Sequence, residues 1–449
     1  MSSLTAAEKT IVTGSCWPAH LEAFEKGALS RRVPWAAGLR ASAAASFSEM
    51  GFPTTSDEEW RYTSVEPVTT VAFRQSLSPK TDALVSHNAR RFGFGLETGP
   101  RLVFVDGFWS KELSSLAGLP AGVIAGSLAE AMQKHRDLVE PRLGRLARPG
   151  STAFVSLNTA LFQDGAFVYV PDGVVVGTPI LVLHLSHESY LASHPRHLVV
   201  MGAGAQASVV EGWASPSCDL YFTNAVTEVD IAPGARLQTV RIEAESGNAL
   251  HVGSTQVRVA DGGSYQSDVA VMSAGFFRHD LGILLAGEHA EAQLHGLSIA
   301  SGRQHLDHHT FIDHAVPNCT SREFYKSILN GCSRVVFNGK VFVRADAQKT
   351  DAKQTNKNLL LSEDARVDTK PQLEIYADDV KCTHGATVGQ LDEEMIYYCR
   401  TRGLDPEVAR GMLTYAFARD VLQSFAIPQV RDWLDASLVQ RLQDAGRSV

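Results

Sequence analysis

The chain has few cysteines for its length, and none of them is paired in a C-x-x-C motif. Zinc ribbons and ferredoxin-type clusters take their ligands from such pairs, so this chain is not expected to build a four-cysteine metal site alone. Scattered cysteines are typical of reduced thiols that pack as small apolar side chains. The six lie at Cys16, Cys218, Cys319, Cys332, Cys382 and Cys399 of the 449 residues.

Excess positive charge and long apolar runs are also missing. The 41 Lys and Arg residues against 49 Asp and Glu give a net charge of −8, so neither nucleic acid nor an anionic membrane is expected as a partner. The longest apolar stretch, residues 174–185, is broken by Gly177 and Pro179 and is shorter than the ~20 residues of a membrane span. The N-terminal residues do not resemble a secretory signal. These absences predict a soluble, cytoplasmic protein.

Motifs for nucleotide binding and for common hydrolases are absent as well. The sequence contains no G-x-x-x-x-G-K-[ST] phosphate loop, no G-x-S-x-G elbow and no H-E-x-x-H zinc motif. We therefore expect that this chain binds no ATP itself.

Short alternating runs of Val, Ile, Leu and Thr dominate the sequence from about residue 165. Turn signals near Gly202, Pro233, Asp261 and Gly287 punctuate these runs roughly 25 to 30 residues apart, about the length of one solenoid coil. No clear two-residue hairpin signal joins the runs, which favours parallel stacking over a Greek-key sandwich. The pattern predicts a mainly β protein with a parallel β-helix core.

Helical patterns flank this core. The spacing of apolar residues predicts helices over 18–28, 33–50, 128–134 and 152–162, with a polar connector over 74–89. After Gly389, a helix is expected over 392–402, a second has Asp405 as N-cap and Pro406 as its first residue, and a third follows Pro428. Helices placed there would cap the open end of the solenoid. The predicted units are 1–160, mainly helical; 161–390, the β-helix; and 391–449, helical.

Three residues of one predicted strand could ligate zinc or iron. His305, Asp307 and His309 alternate in sequence and would share one face, giving two imidazoles and a carboxylate. The favoured alternative is a polar ladder in which the His rings hydrogen-bond to neighbouring coils.

Two further motifs carry ligand-type side chains. Cys382 and His384 would face the same way on a strand, but two ligands are too few for a closed site, so either a second chain supplies the rest or no metal binds. On spacing alone, a buried and hydrogen-bonded pair is favoured. Asp378 and Asp379 are adjacent and would point to opposite faces, which favours a solvated turn over a calcium or acid–base site.

Several tracts resemble SufD proteins, a branch of the SufB/SufD family of the SUF iron–sulfur cluster assembly machinery. The resemblance runs from about residue 50 to the C-terminal helices. It rests on GFP at 51–53, EWRYT at 59–63, LNTA at 157–160, DG at 164–165, SREFYK at 321–326, FNGKVFV at 337–343, AQKTDA at 347–352, NLLL at 358–361, KPQLEI at 370–375 and DDVKCTHGATVGQ at 378–390. The sister SufB subunits carry a cysteine and an acidic residue where this chain has Ala365 and Gly385.

The resemblance implies a non-catalytic scaffold with a right-handed parallel β-helix between helical domains. The β-helix would pair with SufB, and His384, with Cys382 as a weaker candidate, would lie at the interface and share a transient Fe–S cluster with that partner. The C-terminal helices would bind the SufC ATPase, which holds the ATP. The residues expected to contact it are Asp392, Glu393, Tyr397, Tyr398, Arg402, Asp405 and Tyr415. Flavin binding by the complex and a homodimer of the isolated chain are left open.

A second hypothesis comes from a different class of protein. Parallel β-helices also occur among polysaccharide-active enzymes, and His305, Asp307 and His309 could serve a metal-dependent hydrolase. The lack of converging acidic pairs counts against this alternative.

Overall fold

A computed structural model describes residues 16–26, 33–76, 83–217 and 219–446 of the chain. Cys218 therefore lies outside the described residues. The helices are α1 (Trp17–Lys26), α2 (Ala37–Met50), α3 (Glu66–Thr70), α4 (Ala83–Arg91), α5 (Leu128–Lys134), α6 (Arg136–Val139), α7 (Ala153–Leu161), α8 (Glu393–Thr401), α9 (Pro406–Leu422) and α10 (Pro428–Gly446), with short 3-10 helices at Pro34–Ala36 and Glu58–Trp60.

The strands occupy most of the chain between these helices. They are β1 (Arg74–Gln75), β2 (Arg101–Val105), β3 (Phe108–Trp109), β4 (Ile124–Ser127), β5 (Ala166–Val170), β6 (Ile180–Leu185), β7 (Leu191–Ser193), β8 (Arg196–Met201), β9 (Gln206–Ala214), β10 (Phe222–Ile231), β11 (Arg236–Ala244), β12 (Leu250–Val259), β13 (Ser264–Ser273), β14 (Phe276–Leu285), β15 (Glu291–Ala300), β16 (His305–His314), β17 (Thr320–Leu329), β18 (Arg334–Val343), β19 (Asp351–Leu360), β20 (Arg366–Ile375) and β21 (Lys381–Gly389).

Two parallel sheets form the core. From β8 onward, consecutive strands alternate between the sheets, and each strand pairs in parallel with the strand two places further along the chain. The first sheet runs from β4 through β12 to β20, and the second from β3 through β13 to β21. This alternation makes a parallel β-helix of about eight coils, as the turn spacing predicts. The sandwich alternative is wrong.

Branched aliphatic side chains stack in register inside the coils. Val229, Val257, Ile283, Ile312 and Val341 are successive register partners in the first sheet, and each is at most 2% exposed. Branched side chains suit strands, and each buried one contributes roughly 1.5–3 kcal/mol relative to an exposed one. The repeated column explains why one coil length recurs along the sequence.

Elements of the N-terminal region extend the core. Strand β2 adds to the second sheet beside β6, while β4 pairs antiparallel with β5 in the first sheet. The polar connector expected over 74–89 is interrupted by helix α4, whose Val85 and Ala89 lie four residues apart and are both buried. Tertiary packing of this short apolar face outweighs the polar composition. The domain boundaries near residues 160 and 390 stay predictions.

The C-terminal helices form where the sequence predicts them, but they do not cap the open end. The Asp405 carboxylate accepts a hydrogen bond from the Glu407 amide at the start of α9, at 2.9 Å. Val421 of α9 and Leu434 of α10 pack on the outer face of the second sheet, in one cluster with Leu297 and Ile328. Their apolar faces find a larger apolar surface on the side of the coils, so the capping expectation is wrong. Among the described residues, no helix is long and apolar enough to cross a membrane.

Candidate functional site at the open end of the β-helix

The last coil ends in two strands that each lack a neighbour on one edge. Within the described residues, β21 pairs only with β19 and β20 pairs only with β18. Every residue of β21 is exposed except Cys382, which is half-buried. Unpaired backbone N–H and C=O groups of this kind are a template for another strand.

Cys382 and His384 lie on the inward side of this last strand. They are register partners of Ala352 and Gln354, two buried residues that point into the coil beneath. His384 is nevertheless exposed, because no further coil covers it in the described part of the chain. The expectation of a buried and satisfied Cys/His pair is therefore wrong for the histidine.

The Cys382 thiol is a poor ligand in the isolated chain. It packs against the small apolar cluster that contains Val341 and Ala352. Burial raises the pKa of Cys382 above its usual value, so the protonated thiol predominates near neutral pH. A thiolate would form here only if a metal or another positive charge approached.

Apolar and charged groups surround the open end. Ile375, Tyr376 and Val388 are 39%, 62% and 48% exposed. An apolar surface of this kind is typical of an interaction site. Asp378 and Asp379 form the exposed turn before β21, and Asp379 pairs with Lys349. The solvated-turn interpretation of this acidic pair is confirmed.

His305, Asp307 and His309 do share the outer face of β16, but they bind protein groups. The Thr63 hydroxyl lies 2.9 Å from His305 Nε2 and donates to Asp307 Oδ2 at 2.5 Å. The His309 ring lies 3.1 Å from Asp307 Oδ1 through Nε2, and 3.3 Å from Glu59 Oε2 through Nδ1. The partners therefore come from the N-terminal segment as well as from the β-helix.

Electrostatics makes this group a closed ion network. Burial opposes the charge on His309, but Asp307 and Glu59 outweigh it and raise its pKa to about 9. Burial alone would raise the pKa of Asp307, yet His309 and Arg278 hold that pKa well below its usual range. A doubly protonated imidazole has no lone pair for a metal, and the Arg278 guanidinium, 3.0 Å from Asp307, would repel a cation. The residues present do not fit a metal site.

A polar cluster inside the first coils is not indicated by any sequence motif. Ligand-type atoms of His184, His197 and Glu211 lie within 4.8 Å of one another in the described structure. Burial lowers the pKa of His197 to about 4, so its ring is neutral. The Ala166 amide donates to His197 Nδ1 at 2.8 Å, which places the ring proton on Nε2 and leaves no free lone pair. This cluster does not suit a metal either.

The neighbouring interior cluster is likewise occupied by its own hydrogen bonds. Arg241 Nη2 lies 2.5 Å from His251 Nε2, and a guanidinium can only donate, so this ring nitrogen is the acceptor. The remaining His251 N–H faces Glu245 at 2.9 Å, and Glu243 pairs with Arg241 at 2.6 Å. Arg241 and Glu243 in β11 and His251 in β12 sit at inward positions of their strands, whereas Glu245 follows the end of β11. Strand parity is the only sequence signal that could have grouped the first three.

The C-terminal helices expose an apolar surface. Tyr397 and Tyr398 of α8 are 66% and 59% exposed, beside Met395 at 55%. Other residues expected to contact the ATPase serve the helices themselves. The carboxylates of Asp392 and Asp405 cap α8 and α9, Glu393 pairs with Arg410, Arg402 donates to the Tyr398 hydroxyl, and the Tyr415 hydroxyl donates to Asp435.

A parallel β-helix with helices at both ends and an exposed last strand defines the class of β-solenoid proteins. Sequence comparison identifies the family. Residues 184–417 match the family model for the SUF system FeS cluster assembly SufBD core domain, and residues 28–182 match the SufBD protein N-terminal region. The chain belongs to the SufBD family of SUF-system iron–sulfur cluster assembly proteins.

Individual relatives are similar to the chain over most of its length. The chain is 32% identical over 405 residues to the iron–sulfur cluster assembly protein SufD of Escherichia coli, covering 88% of this chain and 91% of that protein. It is 31% identical over 402 residues to a SufBD family protein of Synechocystis, covering 87% and 88%. It is 28% identical over 405 residues to the chloroplastic protein ABCI7 of Arabidopsis thaliana, covering 88% and 83%.

Proposed function

We propose that this chain is a non-catalytic scaffold subunit of a SUF iron–sulfur cluster assembly complex. It pairs with SufB through the open end of its β-helix and with the SufC ATPase through its C-terminal helices. The observation that carries this proposal is the exposed end of the coil, where β20 and β21 have free edges and His384 has no cover. We expect the complex to work in the cytoplasm.

Pairing through the open end follows from the chemistry of the strands. A partner strand added to β21 would satisfy its unpaired backbone groups and bury Tyr376 and Val388, which are 62% and 48% exposed. A partner that presents a similar end strand would continue the coil across the interface. SufB, the sister subunit of the same family, is the partner that suits this geometry.

The nascent Fe–S cluster is cargo shared between the two chains. His384 offers an imidazole, a ligand that iron accepts, and Cys382 offers a thiol two residues away. This pair leaves at least two positions of a tetrahedral iron for the partner. His384 is the main contribution of this chain, because burial keeps the Cys382 thiol protonated until iron arrives.

The C-terminal helices are the proposed docking surface for the ATPase. Met395, Tyr397 and Tyr398 on α8 and Val408 and Met412 on α9 are each at least 50% exposed. Aromatic and Met side chains are enriched in interfaces. Because α9 is fixed to the second sheet through Lys326, movement of a bound ATPase subunit could reach the coils through this helix.

Coexpression tests the proposal directly. With SufB and SufC, the full chain should purify as a stoichiometric complex. The variant Ala386→Pro in β21 should lose SufB but keep SufC. Lys381 donates its N–H to β19, so the N–H of Ala386, which has the opposite parity, faces the free edge, and proline removes that donor. The matched control, Thr239→Pro in an interior strand, should fail to fold. A monodisperse lone chain that ignores both subunits would refute the proposal. The alternative function, a metal-dependent hydrolase, would require His309 and Asp307 to break their ion pairs with Glu59 and Arg278 before they could bind a metal.

A further inference from the structure

Gln354 lies directly beside His384 on the inward side of the coil. The two residues are register partners in β19 and β21, and neighbouring strands lie about 4.8 Å apart, so their side chains run next to each other. Gln354 is 2% exposed, whereas His384 is exposed. The glutamine is therefore the buried group closest in register to the proposed cluster histidine.

The orientation of the Gln354 amide is fixed from below. Its Nε2 donates to Glu323 Oε2 at 2.5 Å, in the coil beneath. Burial raises the pKa of Glu323 to about 7; above that pH its carboxylate oxygens only accept, so the contact assigns the amide nitrogen to the Glu323 side. The Gln354 oxygen, Oε1, is buried and has no hydrogen-bond partner among the described residues. A buried acceptor without a hydrogen bond costs free energy, and a donor that reached Gln354 Oε1 would remove this cost.

A glycine makes room for this arrangement. Gly339, on the facing strand β18, points inward, and a Cβ placed there would lie 2.1 Å from Gln354 Nε2. Any other residue at 339 would displace the amide from Glu323. The glycine of the FNGKVFV tract is thus explained by the space that the glutamine side chain occupies.

We propose that Gln354 is a positioning residue for His384, whose imidazole N–H donates to Gln354 Oε1 once a partner covers the open end. This hydrogen bond fixes the ring and its tautomer, and the other ring nitrogen keeps its lone pair for iron. Metal-binding histidines generally donate their second N–H to an oxygen acceptor in this way. The inference rests on the proposed role of His384.

The test uses the purified complex of this chain with SufB and SufC. Gln354→Leu keeps the apolar volume and removes the acceptor, and cluster formation under anaerobic iron and sulfide should fall by about tenfold or more. The double variant Gln354→Glu with Glu323→Gln exchanges the two groups. A carboxylate at 354 still offers an oxygen to His384, and the amide at 323 donates to that carboxylate, so most of the cluster formation should return. Asn358→Leu is the matched control. Asn358 lies on the same strand, is 3% exposed and also has an unpartnered oxygen, but its register partner is Val388. Its amide nitrogen donates to the Thr387 carbonyl of β21, so this control also reports the loss of a bond to the end strand away from His384.

A spectroscopic readout separates positioning from a general loss of stability. In ¹⁵N-histidine spectra of the sedimented complex, the His384 ring should show one fixed tautomer in the wild type and in Asn358→Leu. In the Gln354→Leu variant, the His384 ring should show a mixture of the two tautomers. If His384→Ala lowers cluster formation while Gln354→Leu leaves both the tautomer and the cluster yield unchanged, the positioning role is wrong and the scaffold proposal stands. If His384→Ala itself has no effect, the proposed role of His384 fails first.

Discussion

The ammonium group of Lys326 in β17 donates to Asp420 of α9 at 2.6 Å and joins the C-terminal helices to the side of the β-helix. The lysine side chain is only 4% exposed and lies between the rings of Phe324 and Phe417, at 5.2 and 4.3 Å. A buried cation held between two rings and one carboxylate is a specific attachment point. It explains why the SREFYK tract ends in a lysine.

Removing Asp420 should loosen this attachment. Asp420→Ala leaves the buried Lys326 ammonium with only the Phe417 carbonyl and the two rings, and should lower the free energy of unfolding by about 1–3 kcal/mol. Denaturant unfolding measures this change. The control is Asp432→Ala, at an exposed aspartate of the neighbouring helix α10, with an expected change within about 0.5 kcal/mol. Equal effects of the two substitutions would contradict the attachment role.

A larger loss is expected at the buried ion pair of Arg196 and Glu228. The two side chains are 0% exposed and 2.5 Å apart, and Glu228 also accepts from the backbone amides of Gly144, Leu146 and Ala147. Glu228→Ala would strand a buried guanidinium and release that turn, at a cost of about 3–5 kcal/mol.

A surface pair provides the comparison for this substitution. Arg344 and Asp313 are also in contact, at 2.7 Å, but the Arg344 side chain is 50% exposed. Asp313→Ala should cost less than about 1 kcal/mol in the same unfolding experiment. If the surface substitution cost as much as the buried one, burial would not be the cause.

The His309 network predicts a pH dependence of stability. The folded pKa of His309, about 9, lies above its ordinary value of 6.5, so its stabilisation is fully present below pH 6.5 and is lost as the pH rises through 9. The unfolding free energies of the wild type and His309→Gln should differ by about 3 kcal/mol at pH 6 and converge by about pH 10. A difference that stays constant with pH would show that His309 is neutral in the fold.

The exposed tyrosines of α8 test the ATPase surface. Tyr397→Ser combined with Tyr398→Ser removes two aromatic side chains that are more than half exposed, so the fold should change little. We expect binding of SufC to weaken by tenfold or more, since truncating a large interface aromatic typically costs about 2 kcal/mol or more. Binding can be measured by titrating SufC into the complex that this chain forms with SufB. Met50→Ser, at a residue of α2 that is 42% exposed, serves as the control. Unchanged SufC binding by the double variant would move the docking surface elsewhere.

Local patterns were sufficient for the β-helix and its helical ends. Repeated turn signals such as Gly234 and Gly262, both with positive φ, predict the coil length, and the Asp405–Pro406 start predicts α9. Long-range docking was not predictable in this way. The sequence placed His305, Asp307 and His309 on one face, but nothing local indicates that Thr63, 244 residues from Asp307, completes that face.

The exposure of His384 could not be predicted from a local sequence pattern either. Alternation assigns His384 and Gln354 to the inward side of their strands, and that side is normally buried. Only the absence of a further coil leaves His384 open, and this depends on where the solenoid stops. The C-terminal helices could be predicted individually from local patterns. Their position on the side of the second sheet could not, because it depends on long-range packing.

His384 at the open end is proposed to help hold a cluster shared with SufB. The most direct test of this role is anaerobic reconstitution with iron and sulfide of the lone chain, of the complex with SufB and SufC, and of the same complex carrying His384→Ala, followed by absorption and iron content. We expect a cluster in the wild-type complex, little iron in the lone chain, and a clearly reduced cluster yield in the variant, whose subunits remain associated. A variant complex that holds as much cluster as the wild type would contradict this role.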